Sequence, residues 1–160
     1  MTAPLRRRAL LIGTEHHQDR RFDSLPSTRA DTAQLAEVLR HRNIGAFEVM
    51  IRSDRRATEM REVIAAFFRE RETDELALLY ISGHGTRVPG GEFVFVAADT
   101  DADRLDETAV TAGFVNTCLE DCWSVQRSLS STAAAAVGSP SGSGPVRRSR
   151  YAMSPCPELR

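Results

Sequence analysis

The sequence predicts an α/β domain of three layers, with helices covering both faces of a mostly parallel central sheet, and two observations predict it. Short apolar runs of strand length alternate with amphipathic segments of helix length in the order βαβαβ, the pattern of a parallel sheet with right-handed crossovers. The first and third of the apolar runs, Ala9-Leu10-Leu11-Ile12 and Leu76-Ala77-Leu78-Leu79-Tyr80-Ile81, carry no charge, as expected of strands buried on both faces.

The elements follow in order. The first strand ends at Gly13-Thr14, and a charged and polar loop runs on through Ser27. Between Ala30 and Arg42, Leu35, Val38 and Leu39 fall at i, i+3 and i+4, which predicts an amphipathic helix stopped by Gly45 just beyond it. Phe47, Val49 and Ile51 alternate with Glu48 and Met50 as a second strand. Met60, Val63, Ile64, Phe67 and Phe68 then form a full helical stripe opposite Arg and Glu. After the third strand, Val88-Pro89-Gly90-Gly91 predicts a turn into a short strand, Phe93-Val94-Phe95-Val96, closed by Asp99. Thr111 to Asp121 reads as a helix with Phe114, Val115, Cys118 and Leu119 on one side. Past Trp123 the periodicity stops, and SPSGSGP has the composition of a linker. The expected division is a folded domain over residues 1–126 and a low-complexity tail over 127–160.

Composition narrows the function. A formal net charge of -1 over 160 residues offers no basic excess to displace counterions, so nucleic acid is not an expected partner. The apolar run Ala9 to Ile12 is too short for a signal peptide core or a membrane span, and the expected location is the cytoplasm. Cys118, Cys122 and Cys156 are an odd number without framework spacing, as expected of reduced thiols.

In open α/β sheets functional groups collect at the carboxyl ends of the strands. Two such ends are Gly13-Thr14 and Ser82-Gly83-His84-Gly85. A histidine between glycines after a buried strand has either of two readings: an imidazole free to act as a base, beside amides able to face an oxyanion, or a loop histidine whose glycines serve a turn. His16-His17 reads as solvated surface rather than a metal pair. Asp99, Asp101 and Asp103 have the opening spacing of a calcium loop, but Arg104 and Val110 stand where such a loop needs Gly and Glu, so no metal site is expected. Cys118 and Cys122 lack partners for zinc. No glycine-rich phosphate loop follows the first strand, which argues against nucleotide binding.

Taken together, Arg8 to Gly13, a helix opening near Ala30-Asp31, Ala57-Thr58 at the start of the second helix, and Leu79-Tyr80-Ile81-Ser82-Gly83-His84-Gly85 resemble the caspase-like cysteine peptidases, particularly the bacterial and metacaspase-type members, over about the first 125 residues. The resemblance implies a caspase-like sheet, incomplete here after its third main strand, and an endopeptidase with a cysteine-histidine dyad acting on polypeptides. His84 would be the dyad histidine, Gly85 an oxyanion amide, and Ser82 and Gly83 would shape the loop. It implies no cofactor, beyond the response to calcium that some members show.

The family places its nucleophile in an Asp-x-Cys-x-Ser-Gly or Asp-Cys-Cys-x-Ser-Gly motif at the end of the next strand, about 50 residues after the histidine. That count from His84 lands in SLSSTAAAAVGSP, Ser128 to Pro140, where there is no cysteine. Cys122 and Cys156 lack the motif around them, and a helical cysteine with apolar neighbours is usually inert. Small residues and Ser cannot replace a buried strand, because they cover too little apolar area to offset chain entropy. A reading frame displaced by one base at or before Ser128 turns the alanine codons into nGC, which includes Cys and Ser, and Thr132 into nAC, which includes Asp. Ser130 and Ser131, if TCN, become nTC, always apolar; the displaced frame can read apolar-apolar-Asp-Cys-Cys-Cys-Ser-Gly-Gly-Phe. The expectation is therefore a peptidase domain without its nucleophile in frame. The alternative is a non-catalytic pseudo-peptidase that binds protein partners through an exposed sheet edge.

Overall fold

The computed structural model describes residues 6–71, 75–127 and 147–152, with 122–127 and 147–152 described as backbone alone. Along the chain run β1 (Arg6–Gly13), α1 (Ser27–Arg40), β2 (Glu48–Ser53), α2 (Ala57–Arg69), β3 (Glu75–Arg87), β4 (Phe93–Phe95), α3 (Leu105–Thr108), β5 (Val110–Thr111), α4 (Ala112–Arg127) and β6 (Arg147–Ala152). Strand β1 is the middle of a parallel trio, pairing Arg8 to Gly13 with Glu48 to Ser53 of β2 and Arg6 to Gly13 with Glu75 to Ser82 of β3. The parallel ladders therefore end level, at Gly13, Ser53 and Ser82, and that shared carboxyl edge carries the candidate site.

Side chains alternate across a strand, and each face of β1 meets a different helix layer. Ala9 and Leu11 lie with Tyr80 against Ala36, Leu35 and Leu39 of α1. Leu10 and Ile12 lie with Leu79 and Ile81 against Met60, Ile64, Phe67 and Phe68 of α2, extended by Val115 and Cys118 of α4. The helical stripe read from the sequence is thus the buried face of α2, where each fully covered side chain stabilises by roughly 1.5–3 kcal/mol. The positive end of α2 is tied by two carboxylates: Glu59 accepts the Arg56 N–H and Asp99 accepts the Ala57 N–H at 2.7 Å.

The sheet is mixed rather than wholly parallel, since β4, β5 and β6 are antiparallel to their neighbours. Strand β3 is twice the expected length. It does not stop at Ile81 but runs through Ser82-Gly83-His84-Gly85 to Arg87, pairing with β4 from Gly85 against Phe95 to Arg87 against Phe93. The turn between them falls where expected, with Gly90 and Gly91 at positive φ. A strand has two edges: Tyr80 to Ser82 pair with both β1 and β6, and Gly85 pairs with both β4 and β6. Strand β4 therefore continues the edge that β1 leaves, and β6 lies along the opposite one.

That second edge is not an exposed one. Instead β6 pairs with it from Tyr80 against Ala152 to Gly85 against Arg147, because the unpaired amides and carbonyls of a buried strand draw in any chain that satisfies them. Among the described residues, the outer edge of β2 has no strand beside it.

Helix α1 differs at both ends from the periodicity. It begins at Ser27, after Pro26 with φ of -58°, and ends at Arg40. The left-handed residue beyond it is Ala46, with φ of 50°, while Gly45 is needed for space: a Cβ there would stand 2.7 Å from the Leu39 carbonyl oxygen. No helix among the described residues is long and apolar enough to cross a membrane.

Candidate active site

His84 lies within β3, not on a loop beyond it, and only 8 % of its surface is exposed. Its flanking glycines lie within the strand rather than at a turn, and close approach marks Gly85 alone. A Cβ on Gly85 would stand 2.3 Å from Cζ of Phe93, and one on Gly83 would stand 3.4 Å from Cβ of Thr14. Ser82 joins the two strand ends, its carbonyl accepting the Thr14 N–H at 2.9 Å.

Alternation fixes the direction of the imidazole. Tyr80 faces α1 and Ile81 faces α2, so His84 projects on the α1 face, over the loop of residues 14–26. There Nε2 donates to the carbonyl oxygen of Asp23 at 2.8 Å. A carbonyl can only accept, so Nε2 carries the proton of this bond. Nδ1 is buried and has no hydrogen-bond partner among the described residues. The arrangement is an imidazole with its Nε2 proton anchored and its Nδ1 bare.

Two rings flank it. His17 lies 5.1 Å from His84 between ring centroids and Phe22 lies 5.9 Å away, with 5.6 Å between His17 and Phe22. Phe22 is buried, and neither nitrogen of His17 has a hydrogen-bond partner among the described residues. Burial first, and repulsion from His84 second, push His17 down to about 4, so it is uncharged at neutral pH. The expectation of solvated surface for His16-His17 holds for only one of the two. His16 has 67 % of its side chain exposed and pairs with Asp54, whereas His17 turns inward. Only their position beside the first strand's end could have flagged them.

The loop that presents these groups is tied on several sides. Asp54, at φ of 48°, accepts the N–H groups of Glu15 at 2.7 Å and His16 at 3.0 Å and meets Nδ1 of His16 at 3.0 Å. Burial acts to raise the Asp54 carboxyl, but these hydrogen bonds outweigh it and hold it below its ordinary value. The His16 bond to Asp54 raises His16 in turn. Gln18 N–H donates to the Ala98 carbonyl and Leu25 N–H to the Glu15 carbonyl.

Farther along the loop, Arg21 bonds Asp19, Asp101 and Asp103 together. Of the three aspartates with calcium-loop spacing, Asp99 caps α2 and the other two meet this guanidinium. Among the described residues no group of three or more His, Cys, Asp or Glu converges as a metal site.

No cysteine is brought to His84 among the described side chains. Cys118 lies in α4 with the α2-face core, across the sheet from the imidazole, and burial pushes its thiol up. Cys122 belongs to the stretch of α4 described as backbone, while Cys156 and the run Ser128 to Pro140 lie outside the described residues.

Comparison with known proteins bears on this arrangement. The solved structure of pro-sf-caspase-1 shares the fold at a TM-score of 0.50 and 19% identity, covering 72% of this chain and 43% of its own length. The chain thus spans less than half of that relative. A search of curated proteins returned no match. The family model described as "Caspase domain" matches residues 6–121, from the first residue of β1 into α4. With that match spanning most of its length, the chain belongs to the caspase-domain peptidase family.

Proposed function

We propose that this chain carries the base half of a cysteine endopeptidase acting on polypeptides, with His84 as general base and the Gly85 amide as oxyanion donor. The observation that carries the reading is the state of His84: Nε2 bonded to the Asp23 carbonyl, Nδ1 bare, the ring at the carboxyl edge of the sheet. Such a nitrogen can take the proton of a thiol; the thiolate attacks the scissile carbonyl carbon, and the imidazolium returns the proton to the leaving amine. Water then cleaves the thioester with the same base. The Val96 N–H bonds the His84 carbonyl, so by alternation the Gly85 N–H points to the edge away from β1 and β4. β6 lies along that edge here, with Gly85 opposite Arg147, so the oxyanion assignment rests on the family resemblance and requires that pairing to give way to the nucleophile strand. The dyad chemistry needs no cofactor.

The nucleophile is proposed to come from the displaced frame at Ser128. DNA sequencing decides the frame directly: the bases preceding the alanine codons must be mostly T. The chain in its present frame is expected to show no thiol-dependent cleavage of peptide substrates, and the frame-restored chain to show cleavage blocked by iodoacetamide. His84→Ala in the restored chain should lower kcat by about 10²–10⁴-fold. Full activity in that variant would sink the assignment.

The lack of an in-frame motif favours a second reading, a non-catalytic module that binds protein partners. The outer edge of β2 would serve as its docking edge. A defined complex formed by the present chain, with no activity gained on restoring the frame, would select it.

A further inference from the structure

We infer that His17 is a positioning residue for His84, its flat ring forming with Phe22 the two walls that hold the imidazole with Nε2 on the Asp23 carbonyl and Nδ1 bare. The inference rests on the reading of His84 as the base. It starts from an imbalance. A lone hydrogen bond of 2.8 Å to Asp23 leaves the His84 ring free to rotate away from that contact, and an Nε2 proton released from it can exchange to give the other tautomer. Nothing hydrogen-bonds Nδ1 among the described residues, so its orientation must come from packing.

Three mutual ring contacts supply that packing, at 5.1, 5.6 and 5.9 Å, all within the range of favourable aromatic pairs. The two walls stand on one loop, and that loop also supplies the acceptor. Phe22 precedes Asp23 directly, so the residue that packs the ring and the carbonyl that binds its proton move as a unit. His17 is set from the other side, because its neighbour His16 and the preceding Glu15 are anchored by Asp54 through their backbone N–H groups.

His17 suits this task because it stays uncharged. An imidazolium there would oppose the positive charge His84 acquires when it takes a proton. Burial, with His84 adding to it, holds His17 at about 4 and removes that conflict at any pH near neutral. The wall is therefore flat and neutral, and its nitrogens are not required for its role.

The test is the tautomer of His84 in the chain as it exists, read from long-range ¹H–¹⁵N correlations at pH 8. The expected signature is a single Nε2–H tautomer with a slowly exchanging Nε2 proton. His17→Phe keeps a neutral flat ring and should retain both. His17→Ala should give a mixture of tautomers and speed exchange of the Nε2 proton roughly tenfold. Should His17→Ala fail to fold, His17→Leu, which fills the space without a flat ring, makes the same comparison against His17→Phe. An unchanged tautomer and exchange rate in the Ala or Leu variant would overturn the inference, as would a His17→Phe variant disturbed as much as they are. These readouts need no catalysis, so loss of the general-base reading, seen as activity persisting in frame-restored His84→Ala, is a separate result.

Discussion

Asp54 offers the sharpest test of how the candidate site is built. Its carboxylate accepts two backbone N–H groups, at 2.7 and 3.0 Å, and a contact from the His16 ring at 3.0 Å, while its backbone sits at φ of 48°. Hydrogen bonds to a charged acceptor contribute roughly 1.5–3 kcal/mol each when shielded, but with 35 % of this side chain exposed water replaces part of them, leaving about 2 kcal/mol in all. The left-handed backbone adds a second effect, about 1 kcal/mol against Ala and little against Gly or Asn. Asp54→Ala should thus lose about 2–3 kcal/mol, Asp54→Gly about 1.5, and Asp54→Asn about 1, since Asn keeps one acceptor and tolerates the conformation. Urea unfolding followed by circular dichroism would measure the series, at constant m-value. If Asp54→Ala were as stable as the parent, or more stable than Asp54→Gly, the account of this anchor would be wrong.

The same pair sets a pH window. The lowered Asp54 carboxyl contributes stability that is present above about pH 3.9 and lost as pH falls through its folded value. The raised His16 contributes stability fully present below about pH 6.5 and lost as pH rises through its folded value, so His16→Gln should flatten the alkaline flank of a urea-midpoint profile and, by removing a bond that lowers Asp54, weaken the acid flank as well. Gly85→Ala would drive a methyl to within 2.3 Å of the Phe93 ring and should cost about 1–3 kcal/mol by overpacking, with part recovered in the double variant carrying Phe93→Leu, measured by the same unfolding assay. Cys118 should alkylate with iodoacetamide at least about tenfold slower than a free thiol at pH 7.5, as seen by peptide mass mapping, and Cys118→Ser should leave activity in the frame-restored chain unchanged.

Much of the scaffold was legible because its signals are periodic. Alternation along β1 and the i, i+3, i+4 stripe of α2 each name a buried face, and the two faces meet at Leu10, Ile12 and Ile64. Glycine was harder to read. Gly83 and Gly85 look like turn residues in a string, yet both lie within β3, and at Gly85 the Phe93 ring leaves no room for a Cβ. That misplaced His84 onto an exposed loop, when the strand carries it into the interior. His17 illustrates a further limit: in a loop no period says which of two adjacent histidines turns inward, and the answer came from anchors as distant as Asp54 and Ala98. The acceptor of the His84 proton was illegible for a similar reason, being a backbone carbonyl that any residue at position 23 would supply.

The guanidinium of Arg21 has a consequence in time rather than in energy. It closes contacts to Asp101 and Asp103 across 80 and 82 residues of chain, and is expected to form after β1 and β3 have paired. Contacts of such long span are made late, and a late contact is missing from the folding barrier but must be broken on the way out. Replacing Arg21 is thus expected to leave the refolding rate nearly unchanged and to quicken opening of the loop that holds Phe22 and Asp23. On that expectation the latch sets how long the base stays assembled, not how fast the chain assembles it.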